Sequence, residues 1–119
     1  MSKIVGTYKV SGRVSSIESA TEIEVTDATD GIVIISKINN GIYKFEETFG
    51  NERIIGTGFE NWHGGPLEFV AENIDQDGET TSLSIKATVV KCGKNLKQIV
   101  VEVYNYVDNL AVILVGREI

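Results

Sequence analysis

Trp62 and His63 are the pair of residues best suited to chemistry in this chain. They stand together in Asn61-Trp62-His63-Gly64-Gly65-Pro66, whose Gly-Gly-Pro ending breaks the pattern on both sides and reads as a loop. His63 is the only histidine, and imidazole is the side chain whose unperturbed pKa lies near neutrality, which suits a general acid or base at a cavity rim. The alternative is a loop histidine in solvent with Trp62 folded over as a plug, because no fixed neighbouring acid identifies a partner. Tyr8, Tyr43, Tyr104 and Tyr106, with Phe45, Phe59 and Phe69, offer aromatic walls with a few hydroxyls to orient a ligand. Equally, they are the ordinary filling of a core. Glu102 and Gln98 share the alternation of Val100 and Tyr104, which points at least one polar group inward. A buried Glu102 then needs Arg117 or Lys86 as a partner, or else a raised pKa.

Other chemistries are poorly supplied. Cys92, the only cysteine, abuts Lys91 and Gly93, but no histidine in its sequence context supports a nucleophile, so it reads as a passive thiol. One histidine and one cysteine do not build a zinc site, and no spaced acidic loop suggests calcium. The expectation is no metal and no cofactor.

Eleven basic against 17 acidic residues in 119 leave a net charge of -6. That balance disfavours binding nucleic acid through its phosphates. The length suits one domain over 1–119 with a single core. No signal peptide, membrane-length apolar run, Asn-x-Ser/Thr acceptor or possible internal disulfide is present, which sets the expectation at a cytoplasmic protein without a membrane partner.

The elements that must position these residues are strands. Asp30-Gly31, Asn40-Gly41, Gly50-Asn51, Asp77-Gly78, Gly93-Lys94-Asn95 and Asp108-Asn109 divide the chain into runs of similar length. Such dipeptides supply the positive φ that tight hairpins need. Period-two alternation marks strands at 3–14, 21–27, 31–38, 42–49 and 52–60, then at 80–91, 96–107 and 110–117. Residues 67–74 fit a helical face after Pro66, but the alternation of Leu67, Phe69 and Ala71 and the following Asp-Gly turn favour a strand. Eight or nine strands joined in series predict an all-β, antiparallel up-and-down barrel. In 99–103 and 110–115 both faces are apolar. A barrel hides only one, so Ile99, Val101, Val103, Ile113 and Val115 are expected to form an exposed stripe and a homodimer contact.

The ends of the chain resemble the calycin group, the lipocalins and fatty-acid-binding proteins. Gly6-Thr7-Tyr8 is similar to the Gly-x-Trp of their first strand, with tyrosine for tryptophan, and Arg117 to the arginine that packs across it. Tyr106-Val107-Asp108-Asn109-Leu110-Ala111-Val112 resembles the acidic turn before a late lipocalin strand. The resemblance implies a calycin-like closed barrel with an internal cavity; the missing lid helices speak against fatty acids. The expected function is a small-molecule-binding barrel for an apolar or aromatic ligand, lined by Tyr8, Tyr43, Phe45, Trp62, His63, Phe69, Glu102 and Tyr104. Two alternatives stand beside it: a cofactor-independent enzyme of isomerase or cyclase type using the same cavity, and a filled interaction or inhibitor barrel.

Overall fold

Apolar residues fall on alternate positions in most runs of this chain, and a sheet that curls until its edges meet gathers them on one side. The computed structural model describes residues 4–19, 21–60, 62, 65–91 and 97–119, and among them there are eight strands and no helix. These are β1 (Gly6–Ser19), β2 (Glu22–Asn39), β3 (Ile42–Phe49), β4 (Glu52–Glu60), β5 (Leu67–Ile74), β6 (Thr80–Lys91), β7 (Lys97–Asn105) and β8 (Leu110–Glu118). Strand order follows the chain, all neighbours are antiparallel, and β1 closes on β8 with Tyr8 opposite Glu118 and Ser16 opposite Leu110. The all-β up-and-down barrel is therefore the fold. Residues 67–74 are a strand, with Leu67, Phe69 and Ala71 all buried on its inner face.

Closure demands sharp bending where β1 meets β8. At Gly12 the two backbones lie so close that any Cβ would collide with the Ile113 carbonyl. Only glycine fits such a corner. Packed inside are Tyr8, Val33, Phe45, Leu67, Ile99 and Leu114, each at most 1% exposed, together with their neighbours on the same face.

Asp30-Gly31 is not a turn. The runs 21–27 and 31–38 are one 18-residue strand, β2, and β1 likewise continues to Ser19 instead of turning after 14. Gly41, Gly50, Gly78 and Asn109 have the positive φ of turn residues. Gly31 instead sits mid-strand opposite Val10, where a methyl group would press on the Thr48 carbonyl. The same dipeptide serves a tight turn or a close strand approach, and composition does not separate the two uses. The turn expected at 93–95 lies outside the described residues. Because β3 takes up pairing only from Ile32, residues 22–31 of β2 pair with β1 alone, while β1 stays paired with β8 as far as Ser16.

The face of β7 is also the reverse of the expected one. Ile99, Val101 and Val103 are 0%, 0% and 5% exposed and point inward, so they form no outer stripe. Val101 pairs with Ala87 of β6 and Leu114 of β8, both buried, and directly paired residues share a face. Ile113 and Val115 do lie outside, 44% and 49% exposed. Their outer-face neighbours on β7 are Val100 and Glu102. With both parities apolar, only the register with β6 and β8 decides which goes in.

Candidate functional site

The two ends of the barrel are built differently. At the end where β1 begins, the chain folds back over the interior: the Tyr8 hydroxyl donates to the Ile4 carbonyl at 2.7 Å, and Ile4 is buried. Lys97, first residue of β7, donates to the Val5 carbonyl at 2.9 Å and bridges Glu118 at 3.1 Å. Its Nζ also lies 5.7 Å from the centre of the Tyr8 ring, within cation–π range. Burial, then the charge of Glu118, raises the Tyr8 phenol well above its ordinary value. Nearby, the Tyr43 hydroxyl donates to Glu60 Oε1 at 2.9 Å. The cation over the first-strand aromatic is therefore Lys97, whereas Arg117 is exposed on the outer face opposite Lys9 and Gln98.

The opposite end holds a recess of about 320 Å³ between the β3–β4, β5–β6 and β7–β8 turns. Val14, Phe49, Ile54, Leu83, Val103 and Val112 form its apolar wall, and Glu52, Asn73, Asp75, Thr81, Asn105 and Asp108 its polar rim. The rim is held by its own side chains. Asp75 Oδ1 accepts from the amides of Asp77 and Glu79, and Asn105 Oδ1 from those of Val107 and Asp108. Asn73 donates to Glu52 across the β4–β5 pair at 3.1 Å. Asx turns of this kind fix loop shape without tertiary support. The mouth is thus preformed.

One layer further in stands Glu47. It follows Tyr43 and Phe45 on the inner face of β3, precedes Phe49, and pairs across to Val33 of β2 and Ile54 of β4. Only 4% of it is exposed, and its Oε1 has no hydrogen-bond partner among the described residues. Burial alone pushes its pKa up to about 7. A buried carboxyl oxygen without a partner is costly, and native interiors seldom keep one. The sequence carried its signal: in Tyr43-x-Phe45-x-Glu47-x-Phe49 an acid occupies the aromatic parity.

Of the residues expected at a site, Tyr8, Tyr43, Phe45 and Phe69 face inward, but they fill the capped half of the barrel and none lines the recess. Phe45 and Phe69 pack ring to ring at 5.3 Å with planes tilted by 52°. Glu102 and Tyr104 are on the outer wall, which corrects the expectation of an inward Glu102. Lys86 is the cross-strand neighbour of Glu102. Tyr104 stacks on Tyr106 at 6.0 Å beside Phe59 and Val70, bordering a shallow outer cleft of about 350 Å³. Partial burial, then the Glu102 charge, raises the Tyr104 phenol. Trp62 is 62% exposed and does not plug the barrel; a Cβ on Gly65 would meet its ring. His63 and Cys92 lie outside the described residues. The interior aromatics and the orphan acid are thus brought together, and the outer pair is separate.

Comparison with protein-family models, with curated protein sequences and with solved structures finds no match to this chain. Among the described residues no helix is long and apolar enough to cross a membrane, and no three His, Cys, Asp or Glu residues group closely enough to hold a metal ion.

Proposed function

We propose that the protein is a small-molecule-binding barrel of calycin-like form, acting in the cytoplasm, whose ligand enters at the end bearing the β3–β4, β5–β6 and β7–β8 turns. The recess there carries the reading. Its volume of about 320 Å³ falls at the lower edge of the roughly 300–1,000 Å³ typical of small-ligand pockets. An apolar wall under a polar rim is the division of labour such pockets use: the wall supplies affinity, the rim orientation. A catalytic cavity needs an inward acid beside a second proton-handling group, and Glu47 Oε1 has no hydrogen-bond partner among the described residues. Binding without chemistry is therefore preferred over catalysis.

The test uses N-phenyl-1-naphthylamine, a neutral dye that brightens in apolar surroundings. Saturable binding near one dye per chain is expected, lost when Leu110→Trp fills the mouth from its rim. Absence of saturable binding, or binding untouched by that substitution, overturns the location of the site.

A further inference from the structure

Three observations at the recessed end point to the chemistry of its occupant. Every charged residue lining the recess, Glu52, Asp75 and Asp108, is acidic. Glu47 faces the interior one layer below, nine-tenths buried, with an oxygen that has no hydrogen-bond partner among the described residues. Its flanking inward residue Phe49 and its cross-strand partner Ile54 both belong to the recess wall. Phe49, only partly buried, is the side chain between Glu47 and the mouth along β3. An anion gains nothing from such a place, and a wholly apolar ligand leaves the carboxyl as unsatisfied as it is without one.

We propose that this end of the barrel is a site for small amphiphilic cations, in which the apolar body of the ligand fills the recess and its protonated amine reaches the carboxyl of Glu47. The inference rests on the recess being a ligand site and adds what kind of ligand it takes. An ammonium supplies the donors that Oε1 lacks and a charge that favours the ionised acid, and charge-assisted bonds of this type are the strong ones. A bare metal ion fits poorly, since the rim acids do not group as ligands. The rim acids attract cations toward the mouth before contact, and the potential of a carboxylate-lined, low-dielectric recess is focused there.

The titration that follows belongs to Glu47. The inward positions beside it are Val33 and Gly31 on β2 and Ile54 and Gly56 on β4, none of them titratable. Val101 and Val103 of β7 and Val112 and Leu114 of β8, also inward, add no charge. Among the described residues, the other ionisable groups facing inward are the three rim acids toward the mouth, Tyr8, which lies across Val33 from Glu47 with Lys97 and Glu118 beside it, and the Tyr43–Glu60 pair toward the capped end. A proton on Glu47 competes with the amine, so binding strengthens as pH rises through about 7.

The experiment compares 2-phenylethylamine with its neutral isostere 2-phenylethanol on the isotopically labelled full chain, following the amides of residues 52–54, 81–83 and 103–112. At pH 8 the amine is expected to bind at least tenfold tighter than the alcohol. That margin should vanish in Glu47→Gln and should shrink at least tenfold in the wild type at pH 5.5, a second readout that needs no variant. Equal binding of amine and alcohol, with no effect of Glu47→Gln, overturns the cation preference and leaves the apolar site standing. A preference for amine that survives both Glu47→Gln and pH 5.5 overturns the role of Glu47. If neither probe moves these amides at millimolar concentration, the recess is not a ligand site and both readings fall.

Discussion

At the capped end, Tyr8 gives its hydroxyl to the Ile4 carbonyl and Tyr43 gives its own to Glu60; at the recessed end, Glu47 is almost as deeply buried and its Oε1 meets no donor among the described residues. The two ends share a sheet and a pattern of alternation, so the difference is not one of fold. It lies in what each buried polar atom is for. A hydroxyl with a partner inside the chain closes a structure and contributes modestly to stability. A carboxyl without one weakens the structure, and its place beside a preformed recess makes sense when the missing partner comes from outside.

Removing the capped end's central side chain should have the largest effect. Tyr8 is fully buried and carries both the bond to Ile4 and the ring beneath Lys97. Tyr8→Ala is expected to cost about 3–5 kcal/mol, as large-to-small aromatic changes in cores do. Urea unfolding reads it directly; a loss under 1 kcal/mol would show that this end is not the anchor of the barrel.

Glu47 should behave in the opposite sense. Its folded pKa of about 7 lies above the ordinary 4.5, so the folded protein keeps this proton over a range where the unfolded chain has lost it. The contribution is therefore most favourable below pH 4.5 and is lost as pH rises to about 7, a span worth roughly 3 kcal/mol at 1.36 kcal/mol per pKa unit. Glu47→Met, similar in shape and without charge, should stabilise the barrel by up to roughly that much at pH 8 and far less at pH 5. Urea midpoints at the two pH values check it. A variant less stable than the wild type at pH 8 would mean that Glu47 has a partner after all.

The same contrast explains how far the sequence could be read. The barrel is legible because Asn-Gly, Gly-Asn, Asp-Gly and Asp-Asn turns recur and because apolar residues hold one parity in β3, β5 and β6, as Tyr43 and Phe45, Leu67, Phe69 and Ala71, and Leu83, Ile85 and Ala87 do. In β7 and β8 both parities are apolar, and the choice between Val101 inward and Val100 inward is made by cross-strand register, which a single sequence does not state. Gly31 misled for a related reason, since a glycine needed for close strand approach looks like one needed for a turn. At the site, the aromatics, Trp62 and His63 are the residues whose types suggest chemistry. Tyr43 and Phe45 share the inner parity of β3, and Glu47 lies two positions on in the same alternation, but an acid is ordinarily an outward residue, so its type hides its place.

A smaller change sharpens the comparison at the level of one atom. Tyr8→Phe keeps the ring in the core and removes only the donor to Ile4. The expected loss is about 1 kcal/mol, the net value of a buried neutral hydrogen bond. Removing a polar atom thus destabilises at one end of the barrel and, in Glu47→Met, stabilises at the other. Two losses of the same sign and size would erase the distinction between satisfied and orphan groups.

The smallest expected effect concerns Lys97, which makes three contacts at once: the Val5 carbonyl, Glu118 and the Tyr8 ring. Lys97→Met keeps the aliphatic stem and removes all three polar contributions. Glu118 is partly solvent-exposed, so that ion pair contributes only a few tenths of a kcal/mol and is screened by salt. The bond to the neutral Val5 carbonyl is exposed but involves no second charge, and the cation lies over the fully buried Tyr8 ring, so salt weakens both less than the ion pair. The total loss should be about 0.5–1 kcal/mol. Repeating the unfolding in 1 M sodium chloride separates the parts: the gap between wild type and variant should narrow but persist. A gap that disappears would reduce Lys97 to a surface ion pair. The cover over Tyr8 would then depend on the segment at Ile4, through its burial and its bond from the Tyr8 hydroxyl.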